Sequence, residues 1–269
     1  MATKDTVGEK YYKPVRYSEN IGTFLFWGSG LLSFCAVLTD STFSADLIGE
    51  GKATIAHELI NIVFVLFVIA LFVQGIIHRL YFLPRAEDAR RANFLSDGFR
   101  VNLSDDETEG YYNNEFGGSI QRIAANCMES SFFTEALTRE MLRSIRLWSA
   151  IYLVVYFILL VSRWTDIEVI ELAAGVVFSE AVLSNWLRCE FLRHRSEDVY
   201  GKLRALFADY PTEQSDHWQP RALEILMRYE TTKAIAAISV SSKLFRRLNP
   251  TLSAEWARRH EALNLGEND

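Results

Sequence analysis

The chain has 269 residues, with 28 Lys and Arg against 34 Asp and Glu, and a net charge of −6. That balance excludes a nonspecific nucleic-acid coat, which needs an overall basic excess. Three scattered cysteines, Cys35, Cys127 and Cys189, with no C-x-x-C pair exclude a disulfide-framed scaffold. The mean hydropathy of +0.04 hides a sharp partition between polar and apolar stretches.

Residues 1–20 are polar and carry Lys4, Lys10, Lys13 and Arg16. They read as a cytoplasmic N-terminal segment and not as a cleaved signal, since no small-residue cleavage site follows. Two apolar segments come next, at 21–38 and 59–80, and the second has no charge between Glu58 and Arg79. A bilayer core of about 30 Å takes about 20 apolar residues per helix, so 21–80 reads as transmembrane helices 1 and 2. Residues 81–146 form a polar cytoplasmic insertion. It opens on Arg85, Arg90 and Arg91, passes an acidic loop at Asp105, Asp106, Glu107 and Glu109, and ends in a helix over 129–146 that runs into helix 3. Turn residues in 98–118 leave room there for a short strand pair. Residues 147–187 hold two further apolar segments, 147–161 and 167–187, as helices 3 and 4. The C-terminal region, 188–269, reads as helical. Leu192, Val199, Leu203 and Leu206 form one stripe before Pro211, and a helix over 221–248 follows Pro220. Asn249-Pro250 is expected to end that helix, and Ser253 to cap a last one over 254–264.

The fold expected is an all-α membrane protein: four transmembrane helices in two pairs with a mostly helical cytoplasmic domain. Lys and Arg cluster in 1–20, 81–146 and 188–195, whereas the two short loops hold only Lys52 and Arg163. The positive-inside rule then puts both termini and the insertion in the cytoplasm; the other reading is three crossings, with the short third segment interfacial.

No nucleophile elbow, P-loop, zinc spacing or kinase pattern occurs, and the five histidines lie far apart. A non-enzyme without cofactor or metal is expected. In the fourth apolar segment, Glu171, Glu180 and Ser184 are candidate pore-lining residues, because a carboxylate at membrane depth usually faces a bundle interior or a water path. The other reading is a Glu paired to a neighbouring helix or reaching the headgroups. Ser29, Ser33, Asn61 and Gln74 are candidates for hydrogen bonds between helices. Arg90 and Arg91 in the insertion, and Arg228, Lys233, Lys243, Arg246, Arg247, Arg258 and Arg259 in the C-terminal helices, with Tyr111, Tyr112, Tyr229, Phe245 and Trp256 interleaved, offer cations and aromatic faces suited to phosphates and bases. Contact with anionic lipid is the competing reading.

The stretch from Arg90 to Glu115 has a basic pair, an F-L-x-D-x-F-x-x-N-L core and a G-Y-Y-N run, and Cys127–Phe133 supplies a C-x-x-x-x-F-F segment. This pattern, with two helices on each side of a cytoplasmic insertion and a helical tail, resembles the four-transmembrane effectors associated with SMODS-type nucleotidyltransferases in bacterial antiphage defence. The resemblance implies an inner-membrane, multi-pass protein that responds to a nucleotide made by a partner nucleotidyltransferase and depolarises the membrane. In the Hailong defence system, one such arrangement, the controlling ligand is a DNA oligomer and the effector a channel. The resemblance implies an important region at Arg90, Arg91, Asp97, Asn102, Tyr111, Tyr112 and Asn113. Four helices per subunit do not readily enclose a wide pore, so a homo-oligomer is expected, with a tetramer as the working number. Asn113 has a second role open to it, in shaping a turn, and Asp97 a second role in pairing with an arginine.

Overall fold

The computed structural model describes residues 6–39, 50–103, 116–162, 180–209 and 216–263, and every regular element among them is helical. The short α1 (Thr6–Lys10) leads into α2 (Tyr12–Thr39), which packs antiparallel against α3 (Glu50–Ile77). Glycines set the spacing: a Cβ on Gly28 would fall 2.6 Å from the Phe67 ring, and one on Gly22 2.7 Å from Gln74 Oε1. Small residues let helix backbones approach in this way. Gln74 bridges the pair as expected, donating to the Ser18 carbonyl at 2.8 Å and its hydroxyl at 3.0 Å. Ser29 does not bridge, because its hydroxyl donates back to Leu25 and Phe26 of its own helix. Asn61 meets His57 one turn away, and it is His57 that reaches Thr39 on α2 at 3.2 Å.

α3 continues into α4 (Leu83–Phe99) through one π-helical turn, His78–Phe82. Pro84 explains the turn. A proline ring crowds the carbonyl four residues back and supplies no N–H, so the Leu83 amide donates five residues back, to His78. The joined helix, Gly51–Phe99, is long and apolar enough to cross a membrane, and only 11 % of its most apolar window is buried within the protein. A helix that apolar in a soluble core would be covered on all sides.

α5 (Ile120–Ser162) is one unbroken helix of 43 residues, so the insertion does run directly into the third apolar segment. A second π-helical turn, Glu180–Ser184, opens α6 (Asn185–Asp209). α6 lies antiparallel to α5, with Arg146 on Glu190 at one end and Phe116 stacked on Phe207 at the other. The stripe of Leu192, Val199, Leu203 and Leu206 is buried as expected. Two helices, α7 (Trp218–Ala236) and α8 (Ser242–Ala262), complete a helical core around Met128, Phe132, Leu203, Trp218, Tyr229 and Trp256.

The C-terminal region departs from expectation in three places. The single helix expected over 221–248 is two helices, because Ala237 adopts a left-handed conformation (φ 46°) and Ser241 caps a fresh start by accepting the Leu244 amide. This break lets α8 fold back across α5. Pro250 does not end α8. The helix runs through it because Leu252 and Trp256 are buried beyond it, and that burial outweighs the missing donor. Ser253 is therefore inside the helix, bonded to Asn249, and caps nothing. Of the stretch considered for a strand pair, 98–118, Gly98 and Phe99 belong to α4 and residues 104–115 lie outside the described ones, as does most of the fourth apolar segment.

Candidate functional site

Apolar side chains cover the outer surface of α2, α3 and the C-terminal part of α5. Phe24, Trp27, Leu31 and Phe34 on α2, Leu59, Leu66 and Phe72 on α3, and Trp148, Val154 and Phe157 on α5 are each more than half exposed. Soluble monomers rarely leave so large a contiguous apolar area open to water. Trp27 meets Trp148 edge to face at 5.8 Å, which ties the first helix pair to α5.

At the polar end of that surface, Arg146 grips Glu190 with two bonds of 2.6 and 2.9 Å, and Trp186 donates to the same carboxylate at 3.0 Å. These bonds, led by the one from Arg146, hold the Glu190 carboxyl below its usual range. Of the candidate pore residues, Glu171 lies outside the described residues, while Glu180 and Ser184 bracket the second π turn. The Ser184 carbonyl accepts a bond from Arg188 at 3.2 Å. π turns inside helices occur disproportionately at functional sites.

The candidate ligand residues fall in separate places. Arg91 donates to Glu230 on α7 at 3.1 Å and to Asp88 at 2.8 Å, and Arg90 lies over the Tyr12 ring at 5.4 Å. Beside them Lys233 sits between Glu87 (3.4 Å) and Glu230 (2.9 Å). Burial alone would lower the Lys233 pKa, but the two carboxylates raise it above the usual lysine value, so it stays charged. Tyr12 closes the cluster with a 2.7 Å bond to Glu87. The basic pair thus clamps α4 to α7 and to the start of α2. Arg246 and Arg247 share no partner with it. Arg247 reaches Glu140 on α5 at 3.9 Å, and Arg246 is exposed. Tyr111, Tyr112 and Asn113 lie outside the described residues. Asp97 does pair with an arginine: Arg122 Nη2 meets it at 2.9 Å, and Asn126 adds a bond of 2.8 Å. Arg122 also donates to the Asp97 and Phe116 carbonyls, joining both sides of the segment between α4 and α5.

Sequence reasoning missed a polar groove of about 370 Å³ between α5, α6 and α8. Phe132 and Tyr200 wall it, and the Arg259 guanidinium lies 4.6 Å and 5.3 Å from their ring centres. Arg139 and Arg259 each pair with a glutamate one turn away, Glu135 and Glu255. The groove is large enough for a nucleoside and offers both aromatic faces and guanidiniums, but a phosphate would have to displace those carboxylates. Its residues come from three helices, and no single stretch of sequence marks them.

Comparison with protein-family models, with curated proteins and with solved structures finds no match.

Proposed function

We propose that this chain is a multi-pass bacterial inner-membrane effector: four transmembrane helices per subunit, both termini cytoplasmic, assembled as a homo-oligomer, with a tetramer as the working number, around an ion-conducting path. A nucleotide or short oligonucleotide, made by a partner nucleotidyltransferase, binds the cytoplasmic helices and shifts the population of open and closed pores. The observation that carries this reading is helical continuity. α3–α4 and α5 each run unbroken from the apolar surface into the cytoplasmic core, so a ligand that moves the core moves the spans. The nucleotide class rests on the resemblance of the Arg90–Glu115 stretch, and the groove beside Arg259 is the concave seat that suits it. Glu180, with Glu171 and Ser184, is assigned to the cation path on its place in the fourth apolar segment.

The test is ion flux from liposomes holding the purified chain, with and without cyclic nucleotides and short DNA oligomers. A nucleotide-switched flux is expected, and Glu180→Gln is expected to change its magnitude or cation selectivity. No flux from correctly inserted protein would move the reading to a transporter or an anchor for a partner enzyme. Unchanged conductance in Glu180→Gln would remove that residue from the path.

A further inference from the structure

We propose that the first turns of α8 and the start of α2 form a cationic rim that binds the phosphates of anionic lipid headgroups. The inference rests on the reading that the exposed apolar surface lies in a bilayer. Two hydrogen bonds fix the rim's position. Arg16 on α2 donates to Ser242 at 3.3 Å, and Ser239 donates to Glu19, so the link between α7 and α8 is fastened just before the apolar row of α2 begins at Ile21. From Arg16 to Ile21 is about 7 Å of helix, and from Arg143 to Leu147 on α5 about 6 Å. A headgroup layer is about 5–7 Å deep on each side of the hydrocarbon. Tyr17, 69 % exposed beside Arg16, is the aromatic residue expected at that depth.

Five cations gather there: Arg16, Arg143, Lys243, Arg246 and Arg247. Arg143 and Arg247 are 73 % and 67 % exposed and share one carboxylate, Glu140. Lys243 and Arg246 are exposed and have no partner among the described residues. The second carboxylate, Glu19, is held by Ser239, and burial pushes its carboxyl above the usual range. Among the described residues, the ion pairs of Arg143 and Arg247 use one carboxylate, Glu140, and Lys243 and Arg246 make none. Arg143 also lines the groove beside Arg259, but neither that groove nor the apolar groove lined by Phe191, Leu223, Met227 and Ile235 includes Arg16, Lys243, Arg246 or Arg247. The rim is open and unwalled, which fits a layer of phosphates better than a single nucleotide that needs stacking and enclosure.

The experiment is native mass spectrometry of the detergent-solubilised full chain titrated with phosphatidylglycerol, with phosphatidylcholine as the zwitterionic control. Phosphatidylglycerol is expected to bind more tightly. The double variant Lys243→Gln/Arg246→Gln is expected to lose roughly tenfold of that preference, at about fivefold or less per cation. Arg258→Gln, at the far end of α8, is expected to keep it. Equal binding of the two lipids by the unmodified chain, or full preference in the double variant, would overturn the rim. So would loss of affinity for a short DNA oligomer in the double variant with lipid preference intact, which would give these cations to the nucleotide. A chain that fails to insert into phosphatidylcholine vesicles would sink the membrane reading itself, whereas one that inserts without discriminating lipids would sink only the rim.

Discussion

At the residue scale, buried ionic groups do the joining. Arg122 serves one carboxylate and two carbonyls on both sides of the segment between α4 and α5. Its removal leaves the partly buried Asp97 without its counter-charge, with only the Asn126 bond, so Arg122→Ala is expected to cost about 3 kcal/mol in chemical denaturation. Arg122→Lys should recover little, because an ammonium cannot reproduce the fork. The Glu190 carboxyl lies below its usual range when folded, so it stabilises the protein above the ordinary carboxylate pKa of about 4.3 and loses that effect as pH falls. Glu190→Gln is therefore expected to lower the melting temperature at neutral pH, with the gap closing below about pH 4. A constant gap across that range would detach the effect from titration. The notion that Asp97 pairs with an arginine was open to sequence reasoning, since both residue types are visible there. The identity of that arginine, 25 positions on, was not.

At the element scale, the sequence spoke clearly where burial follows one helix face and poorly where helices end. The stripe from Leu192 to Leu206 and the long run of α5 follow from apolar spacing alone. Pro250 misled because proline reports local cost, whereas α8 is held by distant partners: Trp256 stacks on Phe132, and Phe245 packs on Phe133. Ala237 misled in the opposite direction, since nothing about alanine announces a left-handed residue. If packing overrides a local defect at Pro250, then Pro250→Ala restores a donor for the Arg246 carbonyl and removes the ring clash. It is expected to stabilise the fold by about 1 kcal/mol or more, seen as a higher midpoint in urea. Destabilisation instead would mean that the core uses the bend. At Gly98 a Cβ would fall 2.3 Å from Ile123, so Gly98→Ala is expected to part α4 from α5 at about 1–3 kcal/mol.

At the scale of the whole molecule, the long apolar helix Gly51–Phe99 was legible because an apolar run carries its own length. The groove beside Arg259 was not, because Phe132, Tyr200, Arg139 and Arg259 meet only after three helices fold together. α5 has one further consequence. Its 43 residues make a rod about 65 Å long, and the bond from Arg146 to Glu190 grips it part-way. About 39 Å lies on the core side of that grip and about 24 Å on the apolar side. If the grip is a fulcrum, a sideways shift of about 5 Å at Ile120 becomes an opposite shift of about 3 Å at Ser162, by simple proportion of the arms. The reduction favours force over distance: a displacement of the packed core would act on the apolar arm with mechanical advantage. Cutting the Arg146–Glu190 bond would remove the pivot while leaving both arms folded.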